Sequence, residues 1–257
     1  MAAERTGGVE GKAALVTGAA SGIGRATALA LGQGGARVLV ADRDRAGAQA
    51  AAEAILEAGG EAEAHAVDVA RADEVEAMVR AAVARFGRLD CAVNAAGILA
   101  TPALLHELAL DAWERTIAVN LTGVFLCMQH ELRAMRAQGA GAIVNVASGA
   151  GVLGTPALGH YCASKHGILG LTKTAALENA RAGVRVNAIC PGSTDTPMLQ
   201  GFMGSSPEAR KMILASAPAG RLGTPEEVAE AALWLCSERA SYVSGESLFV
   251  DFAAVAR

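Results

Sequence analysis

Short apolar segments rich in β-branched residues alternate with longer helical patterns along the whole of this chain. Strands that are continuously apolar are buried on both faces, and strands separated by helices pair in parallel. The pattern therefore predicts an α/β protein with a doubly wound parallel sheet of about seven strands and helices on both faces. At 257 residues the chain fits one such domain, and a hydrophobic fraction of 52% with only 4% aromatics predicts an aliphatic core.

The predicted elements follow one another at regular intervals. The predicted strands are Ala13–Val16, Arg37–Ala41, Ala64–Val69, Leu89–Val93, Ala142–Ala147, Val184–Ile189 and Ser247–Val250. The predicted helices are Gly22–Gln33, Arg45–Ala58, Ala72–Phe86, Asp111–Arg136, Tyr161–Ala180 and Pro225–Ser237. Residues 1–11 are predicted to be a flexible tail before a single domain over residues 12–257. The segment 192–223 has no strand signal, so it is either a substrate loop or an ordinary surface helix-turn.

Charge and cysteine usage narrow the class of partner. The net charge is −4, from 22 basic and 26 acidic residues that are interspersed, which does not suggest a nucleic-acid or membrane surface. No run of 18 apolar residues could span a bilayer, and the N-terminus lacks the apolar run of a signal peptide. The five cysteines are odd in number and far apart, which predicts no disulfide framework, no metal site and a reducing compartment. A soluble cytoplasmic protein is expected.

A glycine-rich loop stands between the first predicted strand and the first predicted helix. Its sequence is TGAASGIG at residues 17–24, with the spacing G-x-x-x-G-x-G. Glycines allow the backbone to approach a pyrophosphate, whose charge the free N–H groups of a helix start can hold. Asp42 ends the second predicted strand, where an acid can hydrogen-bond a ribose 2′-hydroxyl and repel a 2′-phosphate. Together these features predict a dinucleotide site.

Tyr161 and Lys165 are four residues apart on a predicted helix and so share one face. A free tyrosine titrates near pH 10, and lowering its pKa by about three costs about 4 kcal/mol. One ammonium at about 4 Å supplies roughly that energy at an effective dielectric constant of about 20. In a sheltered cleft the pair is therefore expected to form an acid/base in which Lys165 makes the phenol acidic.

These motifs occur in an order that resembles the short-chain dehydrogenase/reductase family, over about residues 12–251. The matching segments are TGAASGIG (17–24), Asp68-Val69, NAAG (94–97), Asn120, Ser148, YCASK (161–165) and PGSTDT (191–196). The resemblance implies a Rossmann-like domain that transfers a hydride between a nicotinamide cofactor and a secondary alcohol or ketone. It implies four catalytic residues: Tyr161 as general acid/base, Lys165 beside it, Ser148 on the substrate oxygen, and Asn120 holding a water that relays protons.

The resemblance also implies how the cofactor is held. The first motif would cradle the pyrophosphate through Gly18, Ser21, Gly22, Ile23 and Gly24. Asp68 and Val69 would border the adenine, and Asn94, Ala95 and Gly97 would shape the floor of the site. Tyr161 and Lys165 would reach the nicotinamide ribose, and Pro191, Gly192, Thr194 and Thr196 would bind the carboxamide.

The choice of cofactor depends on two neighbouring residues. Asp42 matches the acid of NAD-preferring members, whereas Arg43 can favour a 2′-phosphate. A phosphate facing a carboxylate costs several kcal/mol at intermediate dielectric, and one mobile arginine offsets this cost only in part. NAD is therefore expected, and an NADP-linked ketoreductase is the alternative. A catalytically silent dinucleotide-binding regulator would be expected to lack Tyr161, Lys165 or Ser148.

The residues expected to meet the substrate are small or aliphatic. They lie at 98–100, at 149–158 and near 198–214, and His160 is a further residue that could touch substrate. An uncharged and possibly cyclic alcohol or ketone is expected. The resemblance implies a homo-oligomer, a dimer or tetramer. The C-terminal sequence VDFA at 250–253 departs from the family's V-D-G-G and puts that turn, and any tetramer contact it makes, in doubt.

Overall fold

The computed structural model of this chain describes residues 8–99, 101–204 and 206–256. Within these residues the strands are β1 (Ala13–Thr17), β2 (Arg37–Asp42), β3 (Glu61–Ala66), β4 (Cys91–Asn94), β5 (Gly141–Val146), β6 (Val184–Pro191) and β7 (Ser247–Val250). They form one parallel sheet in the order β3-β2-β1-β4-β5-β6-β7. The predicted sheet is confirmed.

Helices cover both faces of this sheet. They are α1 (Gly22–Gln33), α2 (Arg45–Glu57), α3 (Ala72–Phe86), α4 (Leu110–Ile117), α5 (Gly123–Gln138), α6 (Gly159–Asn179), α7 (Pro197–Met203), α8 (Pro207–Ser216) and α9 (Pro225–Cys236). One aliphatic core joins the sheet to α1, α2 and α9, and the other joins it to α3, α5 and α6.

The position of β1 determines where a ligand can bind. The chain passes from β1 to β2 on one side and later returns to place β4 on the other side. In doubly wound sheets a crevice forms at such a reversal, outside the carboxyl ends of the strands. All five residues of β1 are buried, so the loop that follows Thr17 starts from a rigid strand.

Two elements differ from the sequence prediction. β3 lies about three residues earlier than predicted because it is an edge strand with the acids Glu61 and Glu63, which pair with Arg85 at 2.9 and 3.0 Å. The predicted helix 111–136 is interrupted by a π-helical turn at Ala118–Thr122. Apolar periodicity does not reveal a single widened turn, and such turns are frequent at functional sites.

The predicted flexible tail is wrong where the structure describes it. Residues 1–7 lie outside the described part of the chain. Val9 is fully buried, and the Gly11 N–H donates to the Gly35 carbonyl at 2.9 Å. The packed body therefore begins before Lys12.

The segment 192–223 contains α7 and α8, and its ends are tied together. The Asp195 N–H donates to the Gly223 carbonyl at 2.8 Å, and the Gly223 N–H donates to the Ser193 carbonyl at 2.9 Å. The segment 192–223 therefore leaves and rejoins the rest of the domain at one point, beside the carboxyl end of β6.

Candidate functional site

A cleft of about 900 Å³ lies at the carboxyl ends of the central strands. Every predicted site residue except Asn94 and Asn120 lines it. The predicted site residues that line the cleft are Gly18, Ser21, Gly22, Ile23, Gly24, Asp42, Arg43, Asp68, Val69, Ala95, Gly97, Ser148, Tyr161, Lys165, Pro191, Gly192, Thr194 and Thr196.

The Tyr161, Lys165 and Ser148 side chains meet at this cleft. The Lys165 ammonium lies 5.5 Å from the centroid of the Tyr161 ring and donates to the Val146 carbonyl at 2.8 Å. Ser148 follows β5, and its hydroxyl oxygen accepts a hydrogen bond from the Ala150 N–H at 3.1 Å, which orients it. α6 and the end of β5 thus bring a phenol, a hydroxyl and an ammonium together.

Burial at the cleft opposes the expected acidity of Tyr161. Burial raises the pKa of Tyr161 above its ordinary value of 10.0, and a hydrogen bond with the Ser148 side chain lowers it only in part. Burial also lowers the pKa of Lys165 from 10.5 to about 8. The physical reason is that the same desolvation that brings the groups together disfavours both charged forms. Burial therefore favours the neutral phenol, the form that can donate a proton.

Asn120 lies below the cleft, in the π-helical turn, and is fully buried. Its Oδ1 accepts from the Ile98 N–H at 2.8 Å, and its Nδ2 donates to the Ile98 carbonyl at 2.9 Å. Nδ2 also lies 3.4 Å from the hydroxyl of Ser164, which sequence reasoning missed although it belongs to the YCASK motif. A Cβ built on Gly97 would lie 3.4 Å from Asn120 Oδ1 and 3.9 Å from Lys165 Nζ, so Gly97 leaves the space between them open.

The glycine-rich loop has the shape that a pyrophosphate needs. Gly18 has a φ of +67°, and a Cβ there would lie 2.7 Å from the Ala96 backbone. A Cβ on Gly22 would lie 3.3 Å from Thr196 across the cleft. The Ser21 side chain makes no cap hydrogen bond at the start of α1, so it leaves the first-turn N–H groups free for an anion. The residues present therefore fit a dinucleotide.

Asp42 is held in place at the rim of the cleft. Its Oδ2 accepts from the Ala20 N–H at 2.9 Å, and its Oδ1 accepts from the Asp44 N–H at 2.9 Å. Each carboxylate oxygen keeps a further lone pair for a hydroxyl. Arg43 beside it is exposed. Asp68 and Val69 form the neighbouring wall.

Of the segment 94–97 that the resemblance implies at the floor, Asn94 is the one residue that does not line the cleft itself. Its Nδ2 donates to Glu131 Oε2 and to Asn145 Oδ1, both at 3.0 Å. The residue is 1% exposed and points into the core between β4 and α5. Glu131 was also missed, and the signal for it is an acid at the core-facing spacing of the apolar residues of α5. Ala95 and Gly97 do form the floor.

The four residues that the resemblance assigns to the carboxamide, Pro191, Gly192, Thr194 and Thr196, all line the cleft. The Thr194 hydroxyl donates to the Gly192 carbonyl at 3.1 Å. The Thr196 Oγ1 accepts from the Leu199 N–H at 3.3 Å and so caps α7. Since the Thr196 hydroxyl acts there as an acceptor, its proton stays free to be donated.

The outer part of the cleft is apolar. Its walls include Leu153, Met198, Leu199, Phe202 and Ile213. Ala100, one of the residues expected to meet substrate, lies outside the described residues. His160 is fully buried and does not line the cleft, so the suggestion that it touches substrate is wrong.

One cation at the substrate end was not predicted. Arg221 lines the cleft and forms a two-fold contact with Glu227, at 2.9 Å from Nη1 and 2.6 Å from Nη2. The Glu227 carboxylate thereby compensates the charge of this guanidinium. Arg210 and Lys211 are exposed and do not line the cleft.

The C-terminal turn forms although Phe252 and Ala253 stand where the family's V-D-G-G sequence has two glycines. Phe252 and Ala253 have φ values of +49° and +68°. The Asp251 carboxylate stabilises the turn by accepting from the Ala253 N–H at 3.0 Å and the Val255 N–H at 2.9 Å. Phe252 and Val255 line the cleft, so this turn belongs to the site. Among the described residues, no three His, Cys, Asp or Glu side chains are grouped so that they could hold a metal ion.

Comparisons with known proteins agree with this geometry. A family model described as enoyl-(acyl carrier protein) reductase matches residues 18–252. A cyclohexanol dehydrogenase from an Acinetobacter species (strain SE19) is 45% identical over 242 residues, 94% of each chain. A cis-4-hydroxycyclohexanecarboxylate dehydrogenase from Sinomonas cyclohexanicum is 47% identical over 240 residues, 93% of this chain and 95% of the other.

A solved structure from Beutenbergia cavernae, described as an NAD(P)-dependent gluconate 5-dehydrogenase with bound NADP at low occupancy, superposes with a TM-score of 0.92. It is 37% identical and covers 98% of this chain and all of its own.

Proposed function

Because this chain belongs to the short-chain dehydrogenase/reductase family and is therefore a nicotinamide-dependent oxidoreductase acting on CH–OH groups, we propose that it is an NAD-preferring dehydrogenase of uncharged cyclic secondary alcohols. The observation that carries the proposal is that Tyr161, Ser148 and Lys165 converge at a cleft whose outer walls are apolar. A silent regulator would have no need of that convergence.

The proposed chemistry uses four groups of this chain. A bound nicotinamide dinucleotide supplies the hydride donor or acceptor. The Ser148 hydroxyl orients the substrate oxygen, and Tyr161 donates its phenolic proton to that oxygen during reduction or accepts it during oxidation. Lys165 would hold the ribose hydroxyls of the cofactor, and Asn120 holds the Ile98 backbone under the site, with space beside Gly97 for a relay water.

The proposed substrate class is supported by the walls and by the relatives. Met198 and Phe202 offer apolar contact for a ring, and Arg221 is satisfied by Glu227, so it does not present a free cation to a carboxylate. One relative is named for cyclohexanol and the other for a hydroxycyclohexane carrying a carboxylate. The two compounds therefore form a matched pair for testing charge.

A panel of both alcohols and an acyl-thioester ketone, each with NAD and NADP forms, tests the proposal through absorbance of the reduced nicotinamide. We expect kcat/KM for cyclohexanol to exceed that for cis-4-hydroxycyclohexanecarboxylate. Turnover confined to the carboxylate or to the thioester contradicts the substrate class.

The preference for NAD is supported by the fixed position of Asp42. Two backbone N–H groups hold its carboxylate at the cleft, where it repels a 2′-phosphate. Arg43 and the NADP found with the Beutenbergia cavernae protein favour the alternative, an NADP-linked ketoreductase. We expect kcat/KM to be about tenfold or more higher with NAD. Equal efficiency with both cofactors contradicts the assignment.

Two wider proposals concern assembly and compartment. α5 and α6 each expose a large apolar side chain, Phe125 (44% exposed) and Leu177 (84% exposed), which supports a homo-oligomer, a dimer or a tetramer. Sedimentation of the purified protein as a monomer contradicts it.

The five cysteines are free and buried, which supports a reducing, cytoplasmic setting. In the part of the chain that the structure describes, no helix has the length and apolarity to cross a bilayer.

A further inference from the structure

A buried polar cluster lies between β4, β5, α5 and α6, directly beneath the floor of the cleft. It consists of Asn94, Glu131, Asn145 and Thr172, none of which is more than 1% exposed. Asn94 ends β4, and the next residues, Ala95 to Gly97, line the cleft. Whatever holds the Asn94 side chain therefore also holds the start of that floor.

The two asparagine side-chain amides supply the hydrogen-bond donors of the cluster. Asn94 Nδ2 donates to Glu131 Oε2 and to Asn145 Oδ1. Asn145 Nδ2 donates to Thr172 Oγ1 at 2.9 Å and lies 3.3 Å from the sulfur of Met128. Both protons of the Asn94 amide are thereby used, and its oxygen is left over.

Two buried atoms of this cluster, Asn94 Oδ1 and Glu131 Oε1, have no hydrogen-bond partner. Both are acceptors, and they belong to the two groups that already share the Nδ2–H···Oε2 bond. An amide and a carboxylic acid joined by one such bond can close a second one, O–H···O, when the acid carries a proton. A single proton on Oε1 would satisfy both atoms, whereas an ionised Glu131 would leave both without a donor.

The surroundings of Glu131 offer no cation that would favour its ionised form. α5 packs against α3, β4, β5, β6 and α6, and no charged side chain on these elements shifts the carboxyl group's pKa. The Cys127 thiol lies one turn earlier on α5, and its own pKa is raised by burial and by Glu131. Lys165 on α6 donates to the Val146 carbonyl instead. Burial raises the pKa of Glu131 from 4.5 to about 7, and the Asn94 amide opposes this only in part.

We propose that Glu131 is a positioning residue that acts as a neutral carboxylic acid, paired with the Asn94 amide through two hydrogen bonds, and so holds the Ala95–Gly97 floor of the active site. The pairing requires no particular substrate or cofactor, so it stands apart from the proposed function. Ionisation of Glu131 would place an unpaired charge in the core and remove one of the two bonds to Asn94.

The consequence for stability has a definite sign. Below pH 4.5 the carboxyl group is protonated in the folded and the unfolded chain alike. Between pH 4.5 and about 7 the Glu131 carboxyl group keeps its proton in the folded chain but has lost it in the unfolded chain. The free energy of unfolding therefore falls as the pH rises through this range. Above about pH 7 the stabilisation is lost.

Glu131→Gln is the matched variant, because its amide keeps the shape and offers a permanent N–H donor to Asn94 Oδ1. Glu131→Leu removes the donor. We expect the melting temperature of the wild type to fall relative to that of Glu131→Gln as the pH rises from about 5 to about 8. We also expect infrared spectra at about pH 6 to contain a protonated-carboxyl C=O band that Glu131→Gln lacks.

The pH dependence of activity supplies a measurement that a purely structural role of Glu131 would not change. Lys165 titrates in both proteins, so its effect cancels in the ratio of their kcat/KM values. We expect that ratio to shift toward Glu131→Gln by several-fold as the pH rises through about 7, whereas Glu131→Leu is impaired at every pH. Parallel melting curves, an unchanged infrared band or a constant activity ratio would each overturn the proposal. The first two measurements need no turnover, so they stay informative even if the proposed substrate is wrong.

Discussion

The Lys165 ammonium sits 5.5 Å from the centroid of the Tyr161 ring, and its hydrogen bond at 2.8 Å goes to the Val146 carbonyl. The cation is thus anchored to the end of β5 as well as to α6. Its effect on the phenol depends on whether it keeps its proton, and burial makes that proton easier to lose. Catalysis by this pair is therefore expected to respond to groups that favour the charged lysine, such as ribose hydroxyls.

Replacing Tyr161 by Phe removes the proton that is passed to the substrate oxygen and leaves the ring in place. We expect kcat to fall by about 10²–10⁴-fold while dinucleotide affinity is retained. Steady-state kinetics together with titration of reduced-nicotinamide fluorescence measure the two effects. Tyr242→Phe is the matched control, because Tyr242 is fully exposed and does not line the cleft. A variant at 161 with near-normal kcat would contradict the mechanism.

Dinucleotide binding should weaken as the pH rises above about 8, where Lys165 loses its proton. Bound ribose hydroxyls favour the ammonium, so binding above this pH takes up a proton and Kd rises by up to about tenfold per pH unit. Calorimetry in buffers of different ionisation enthalpy measures the uptake. Lys165→Met should abolish the pH dependence, and Lys173→Met, at an exposed position of the same helix, should leave it unchanged. A flat Kd from about pH 7 to about pH 9.5 argues against this role.

Asp42→Asn tests the cofactor preference without removing the side chain that supports the loop. The amide oxygen can still accept a backbone N–H, but the negative charge is gone. We expect the ratio of kcat/KM for NAD to that for NADP to fall by about tenfold, mainly through KM for NADP. Asp44→Asn is the control, because Asp44 caps α2 through the Gly47 N–H and does not line the cleft. An equal fall in both variants would rule out charge repulsion at Asp42.

The C-terminal turn should become more stable when Ala253 is replaced by Gly. A φ of +68° costs an alanine about 1–2 kcal/mol, and the entropy lost by glycine on folding offsets about half of that. We expect a gain of about 0.5–1 kcal/mol in the free energy of unfolding, measured by denaturant titration. The neighbouring Ala254→Gly, at a position without positive φ, should be neutral or destabilising. A loss of stability at Ala253→Gly would show that no strain is stored there.

The positions of the strands along the chain and the residues at their carboxyl ends could be predicted from the sequence because local spacing determines them. Apolar runs, helical periodicity and glycine spacing are properties of neighbouring residues, so the predicted sheet is confirmed, and the structure brings most of the predicted site residues to one cleft. The direction of the Asn94 side chain could not be predicted, because the two directions that a side chain can take at a strand end depend on what packs on each face. Here that partner, Glu131, is 37 residues away.

The sequence by itself determined the doubly wound sheet, the glycine-rich loop after β1 and the set of polar groups that line the cleft. Tertiary structure alone decided which charge states are favoured in the cleft and beneath it: burial favours the neutral forms of Tyr161 and Glu131, and Lys165 loses its proton more easily. The reason is that a pKa reports the solvation and the partners of a group in three dimensions, which the order of residues along the chain does not contain.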